Sequence, residues 1–236
     1  GNALAETVGA HPATRDGLVD ELRRARLGSS RRSLQMLTFE GRPTMFAGFG
    51  LDALILDDFE NTVSMLKQTG LAGRVRSAGL RYGMAIVTRS VPRFFLEERP
   101  EIVAINRGSP AVRVDVDGNQ IGKEIPSGRV MWRGAATLAS ASTIPFYGLG
   151  FKMFPHAERV PGRFQLRLTD IGAMPIIANL PALWQGRFEH PRIHDFLVDN
   201  IELVLSRPAP FQSGGDRIGD RSRVSFSLWD RPIAVV

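Results

Sequence analysis

The sequence predicts an α+β protein that is mostly β, an antiparallel β-sandwich domain with flanking helices. Three observations lead there. From about residue 100 onward, short β-type runs alternate with turn signals. Before that point, apolar residues recur at helical spacing. The 236 residues are 43% apolar, enough for a substantial core. No apolar run reaches the roughly 18 residues of a membrane-spanning helix.

Taken in order, residues 3–9 and 14–27 read as helices. In the second, Leu18, Leu22 and Ala25 line one face, Arg23, Arg24 and Arg26 fall mostly outside it, and Gly28 stops it. "SLQMLTFEGRPTMFAGFG" reads as a hairpin of two β-rich runs around the turn "EGRP". "DDFENTVSMLKQ" and "RVRSAGLRYGMAIVTRSV" look helical, with "TGLAG" between them and Pro92 ending the region. The strand candidates behind are "EIVAINRG", "AVRVDVDGNQIGKEI", "GRVMWRGAATLASAS", "RFQLRLTDI", "NIELVLS" and "RVSFSLW". "DGNQ" at 117–120 has hairpin-turn composition. "EHPRIHDFLVDN" suggests a short helix opening near Pro191. No internal repeat or linker divides the chain, so it reads as one body, helical in front and β behind.

Composition narrows the chemistry. The net charge is +6, and lysine occurs only at Lys67, Lys123 and Lys152. An arginine-rich surface follows from a GC-rich genome or from affinity for phosphate in a nucleotide, an anionic lipid surface or a nucleic acid. The absence of cysteine excludes disulfides, thiolate metal sites and a cysteine nucleophile, and is compatible with the cytoplasm. The N-terminus lacks the basic start and apolar stretch of a signal peptide, so a soluble protein is expected.

Histidines occur at 11, 156, 190 and 194. The last two would share a helix face only if the helix began before Pro191, and no H-E-x-x-H accompanies them. There is no G-x-S-x-G elbow, Walker A loop or G-x-G-x-x-G. Three glycine loops remain: "GFGLDA" at 48–53, "YGLGFKMFPHA" at 147–157 and "FQSGGDRIGDR" at 211–221. In the last, Gly214 and Gly215 let backbone amides approach a ligand, and Asp216 suits a hydroxyl or a magnesium ion. A plain hairpin turn accounts for it equally well.

The stretches "GFGLDALILDDFENTVSMLKQTG", "YGLGFKMFPHAERVPGRFQLRL" and "FQSGGDRIGDR" occur in an order that resembles bacterial diacylglycerol kinases and their sphingosine-kinase relatives. Those proteins carry a G-x-D-A stretch, a P-x-A segment (here Pro155, His156 and Ala157) and a late D-G-E loop. The start, "GNALAETVGA", resembles the tail of their G-T-G-N-x-x-A motif. The resemblance covers nearly the whole chain.

It implies the C-terminal portion of a lipid kinase, with a β-sandwich domain like that of diacylglycerol and NAD kinases. The implied activity is ATP-dependent phosphoryl transfer to a lipid hydroxyl such as that of diacylglycerol, using ATP and Mg2+. The isolated portion is expected to be inactive without an N-terminal nucleotide domain. The implied division is 1–40 as the tail of that domain with connecting helices, 41–225 as the β-sandwich, and 226–236 as a strand returning to the missing domain. By resemblance, Asp216 and Asp52 are catalytic, Asp216 holds the metal, and Gly1, Asn2, Lys67 and Gly215 meet the nucleotide.

Two departures stand out. Gly214 replaces the first acid of D-G-E, so Asp216 takes over that role, the base lies elsewhere, or activity is reduced. Pro161 and Gly162 replace the family's D-G after P-x-A. Phe146, Phe151 and Met153 are candidates to line an acyl groove. The expected partners are a lipid substrate, a membrane surface met peripherally from the cytoplasm, and a second copy in a homodimer, with no nucleic acid. A non-catalytic lipid- or ligand-binding module is the alternative. A nucleic-acid binder and an NAD-kinase-like enzyme stand behind it.

Overall fold

The computed structural model describes residues 3–11, 14–27, 32–50, 99–147 and 150–235. The two helix candidates within 51–98 lie outside the described residues, as do Gly1, Asn2, Asp52 and Lys67.

Two helices lead, α1 (Ala3–Val8) and α2 (Arg15–Leu27). Thr14 caps α2, its hydroxyl accepting from the Gly17 amide at 3.1 Å. The apolar face of α2 is present but open, with Leu18 62% and Leu22 54% exposed. Strands β1 (Arg32–Leu34), β2 (Leu37–Phe39), β3 (Arg42–Thr44) and β4 (Phe46–Gly50) follow. The β2–β3 hairpin turns at Glu40 and Gly41, whose φ angles of 47° and 73° are those a tight two-residue turn requires.

After residue 98 come β5 (Glu101–Asn106), β6 (Val112–Val114), β7 (Val130–Ala135), β8 (Leu138–Ser142) and β9 (Phe164–Thr169). Helices α3 (Ala173–Ala178) and α4 (Leu180–Trp184) precede β10 (Ile193–Val198), β11 (Asn200–Ser213), β12 (Asp216–Leu228) and β13 (Ile233–Val235). β13 pairs with β1 in a small separate sheet.

The long β11–β12 hairpin organises the rest. Along one edge β11 pairs first with β5, from Ile201 to Leu205, and then with β4, from Phe211 to Ser213. Between these stretches its register against β12 shifts, between Val204 and Ala209. Pro208 sits in that interval and has no amide to give a ladder. A bulge there lets one strand pass from one layer to the other. One layer runs β7-β5-β11-β12-β2-β3 and the other β11-β4-β8-β9-β10-β6, all antiparallel. The fold is therefore mostly β with few helices, as the sequence predicts.

The core fills the space between them. Phe211 lies with its ring centroid 4.6 Å from Phe39, 4.9 Å from Phe49 and 6.1 Å from Phe226. β9 is buried along its full length. Phe164, Leu166 and Leu168 enter the apolar core, whereas Gln165, Arg167 and Thr169 point to the opposite face.

Three expectations are corrected. The stretch after Pro191 is strand β10, not a helix, so His190 and His194 share no helix face. Pro191 and Arg192 form a turn instead, and Ile193, Phe196, Leu197 and Val198 suit a strand with partners on both sides, β9 and β6. "GRVMWRGAATLASAS" splits into β7 and β8, which belong to different layers. The Thr137 hydroxyl holds the split, bridging the carbonyls of Thr169 and Ile171 at 3.0 and 2.7 Å. Residues 173–184, given no element from sequence, contain α3 and α4. Their prolines, 175 and 181, fall in the first turn of each helix, where a missing N–H is tolerated.

Candidate functional site

The β11–β12 turn is built by Gly214 and Gly215, with φ angles of 63° and 93°. Both amides are used inside the protein. Gly214 N–H donates to the Phe46 carbonyl at 2.8 Å, and Gly215 N–H to Gln212 Oε1 at 3.1 Å. What the turn presents outward is therefore the carboxylate of Asp216, which is exposed. Among the described residues it makes no hydrogen bond or ion pair.

Phe46 ties this turn to the start of the chain. It forms a small apolar cluster with Ala3 of α1 and with Ile144, against which Met45 and Tyr147 pack. The Tyr147 ring lies 4.5 Å from Phe46 and 6.3 Å from Phe154, next to Pro155 and His156. The Phe154 amide donates to the Pro145 carbonyl at 3.0 Å. The structure thus brings together three of the segments singled out in the sequence: the initial helix, the 147–157 segment and the 214–216 turn. The fourth, "GFGLDA", begins in β4, whose far end at Gly50 points away from the turn.

Glu6 was not singled out by sequence and belongs to this patch. Its Oε1 accepts from the Gly150 amide at 2.7 Å. Its Oε2 is buried with no hydrogen-bond partner. The available signal was an acid in the first turn of the helix that follows "GN". A cavity of about 350 Å³ opens nearby, lined by Arg32, Thr143, Ala157 and Arg163 and by Pro161 and Gly162, the pair that stands at D-G. Arg32 braces it, reaching the Thr7 carbonyl and the Glu158 carboxylate. Of the proposed acyl-groove residues, Phe151 stacks on Trp184 with ring centroids 5.3 Å apart.

For a metal the fit is partial. Among the described residues no three His, Asp or Glu side chains cluster as a cage. Asp216 alone offers a single outward carboxylate. That matches magnesium, which keeps several waters and binds through one or two carboxylates plus substrate phosphate.

Behind the 155–157 segment lies a buried polar chain. The His156 amide donates to Gln165 Oε1 at 2.7 Å, and Gln165 Nε2 donates to Asp195 Oδ1 at 2.7 Å. Arg167 grips Asp195 through Nε and Nη2 at 2.8 and 2.7 Å. Burial pushes the His156 imidazole below its ordinary 6.5, with Arg167 and Arg159 adding to the effect and Asp195 opposing it. His194 is lowered by burial and then by Arg113. In both cases the unfolded chain binds protons more readily than the folded one. Stability is therefore expected to fall as pH drops through 6.5, and to level off below the folded values. Asp115 and Asp170, lowered by hydrogen bonds, lose their contribution only in a more acid window below 3.8. Urea midpoints at neutral and mildly acid pH test this. His156→Gln should shrink the drop, and a midpoint that rises on acidification would refute the assignment.

No family model and no curated protein matches the sequence. Solved structures do. A diacylglycerol kinase from Bacillus anthracis superposes with a TM-score of 0.52 at 9% identity, over 95% of this chain and 58% of its own. A second structure from that organism, assigned as a diacylglycerol kinase, gives 0.55 at 11% identity, over 97% and 64%. The chain spans about three-fifths of the length of the proteins it resembles. Its fold is that of the matching part of the bacterial diacylglycerol kinases, in agreement with the C-terminal portion expected from sequence.

Proposed function

We propose that the chain is the C-terminal portion of a lipid kinase that transfers phosphate from ATP to a lipid hydroxyl such as that of diacylglycerol. The observation that carries this is the outward carboxylate of Asp216 on a turn locked to the initial helix through Phe46, within a diacylglycerol-kinase-like fold. Phosphoryl transfer asks a protein mainly for positioning and charge neutralisation. Asp216 accepts the proton of the attacking hydroxyl or holds a water of the metal. A magnesium ion held through the Asp216 carboxylate would supply charge neutralisation at the phosphates. Glu6 and Gly150 fix the neighbouring loop. Gly1, Asn2, Lys67 and Gly215 on the nucleotide side, and Asp52 near the head group, complete the reading. It includes work at a membrane surface, and among the described residues no helix is long and apolar enough to cross one.

Gly214 favours a second reading, a lipid-binding module without turnover, because it leaves the turn with one carboxylate where relatives carry two. One assay separates them. The chain, joined to an upstream nucleotide domain, is tested with ATP, magnesium and a diacylglycerol panel. Turnover should fall about 10²–10⁴-fold in Asp216→Asn, the usual span for losing a proton-transfer group. Lipid binding with no turnover in the parent would instead establish the binding module. Unchanged turnover in the variant would remove Asp216 from the chemistry.

A further inference from the structure

Residues 154–162 form a strap that leads into β9. The stretch 155–162 is all turns and bends. Its backbone-to-backbone hydrogen bonds, from the amides of Ala157, Arg159 and Arg163 to the carbonyls of Phe154, His156 and Val160, close within 154–163. Side chains tie it to the body instead. Gln165 takes the His156 amide, Arg32 meets Glu158, and Arg159 Nη1 donates to the Asp117 carbonyl at 2.6 Å. Ala157, Glu158, Val160, Pro161 and Gly162 line a wall of the cavity of about 350 Å³, so this half has room beside it. Gly162, at φ 76° with open space around it, supplies a pivot.

His156 is the strap's deep polar anchor. It is 3% exposed, and its Nε2 is buried with no hydrogen-bond partner. The groups that face it are Gln165 and Arg167 from β9, Asp195 from β10, Asp115 from the 115–119 turn and Arg159 from the strap itself. Every acceptor among them is engaged. Arg167 and Gln165 hold Asp195, and the His156 amide holds Gln165 Oε1. Asp115 receives the amides of Asp117 and Asn119 and the Asn119 side chain. A neutral ring fits this site. An imidazolium would add an N–H with no unspent acceptor, beside two guanidiniums.

We propose that 154–162 is an acid-released strap, closed over the neutral imidazole of His156 and opening locally, with β9 and β10 intact, when that ring is protonated. Opening gives the ring to water, where its ordinary value of 6.5 applies. The open form therefore gains about tenfold in population for each pH unit below that value, until the closed ring itself titrates. Opening draws Phe154 away from Tyr147, the ring packed on Phe46 behind the Asp216 turn. The inference is independent of the kinase reading.

Amide hydrogen exchange on the whole chain, followed from neutral to mildly acid pH, tests it. After correction for the intrinsic exchange rate, the amides of His156, Ala157 and Arg159 should lose protection about tenfold per pH unit below 6.5. Those of Leu166 and Leu168 in β9 should keep theirs. His156→Phe removes the titrating ring and should make the strap's protection independent of pH. His156→Gln should do the same while keeping a polar side chain, so either folded variant decides the point. The proposal falls if the parent's strap shows no pH dependence. It falls equally if the β9 amides lose protection in step, which means global unfolding, or if a folded variant without the imidazole still opens on acidification.

Discussion

Replacing Asp195 by alanine is expected to destabilise the chain by about 3–5 kcal/mol, the cost of stranding a buried charge. Arg167 is 5% exposed and Asp195 4%, and the two make a bidentate pair. Removal of the acid leaves a guanidinium inside with no counter-charge, and leaves Gln165 Nε2 without its acceptor. The loss should not equal the worth of the pair. Arg167→Met with Asp195→Leu removes both charges and should cost much less than Asp195→Ala alone, because apolar residues of similar volume often replace a buried pair at little cost. Urea denaturation of the three chains decides it. A single-variant loss under about 1 kcal/mol, the level of an exposed pair, would mean that water reaches Arg167.

Gly48→Ala is expected to be as damaging, at the upper end of the roughly 1–3 kcal/mol typical of overpacking or beyond it. A Cβ at Gly48 would stand 2.1 Å from Ser140 Oγ, 2.5 Å from Ser140 Cα and 2.6 Å from the Ala139 carbonyl oxygen. Two of these are backbone atoms of β8, paired to β4 in the register Gly48↔Ser140. They cannot withdraw unless the ladder opens. Ser140→Gly in the same chain removes the hydroxyl but not the backbone contacts, so it should rescue only part of the loss. Thermal unfolding of the single and double variants measures this. Full rescue would show that the hydroxyl alone was the obstacle. Gly48 therefore has a packing reason for being glycine, at the point where β4 runs closest to β8.

Much was legible without coordinates. The turn residues "EG" mark the β2–β3 hairpin because both positions need positive φ. The two apolar runs around "SGGD" announce β11 and β12, and the helical spacing at 14–27 announces α2. The motif order pointed to the diacylglycerol-kinase fold, and the solved structures agree. The hairpin and helix signals are local, carried by residues within a few positions of one another, whereas the family signal lies in the order of motifs along the chain.

Other features depended on what packs where. Alternation in "RFQLRLT" shows that Gln165 and Arg167 share a face, but it suggests a face toward water. Only the neighbouring Asp195 and His156 make that face an interior. Glu6 looks like an ordinary first-turn acid until Gly150 meets it from 144 positions away. Gly214 and Gly215 offer two free amides on paper, and Phe46 and Gln212 consume both. Residue order and local periodicity determined the strands, the turns and the carboxylate at 216. Tertiary structure decided which donors remain unspent and which charges are buried, because hydrogen-bond partners and desolvation come from residues far apart in the chain.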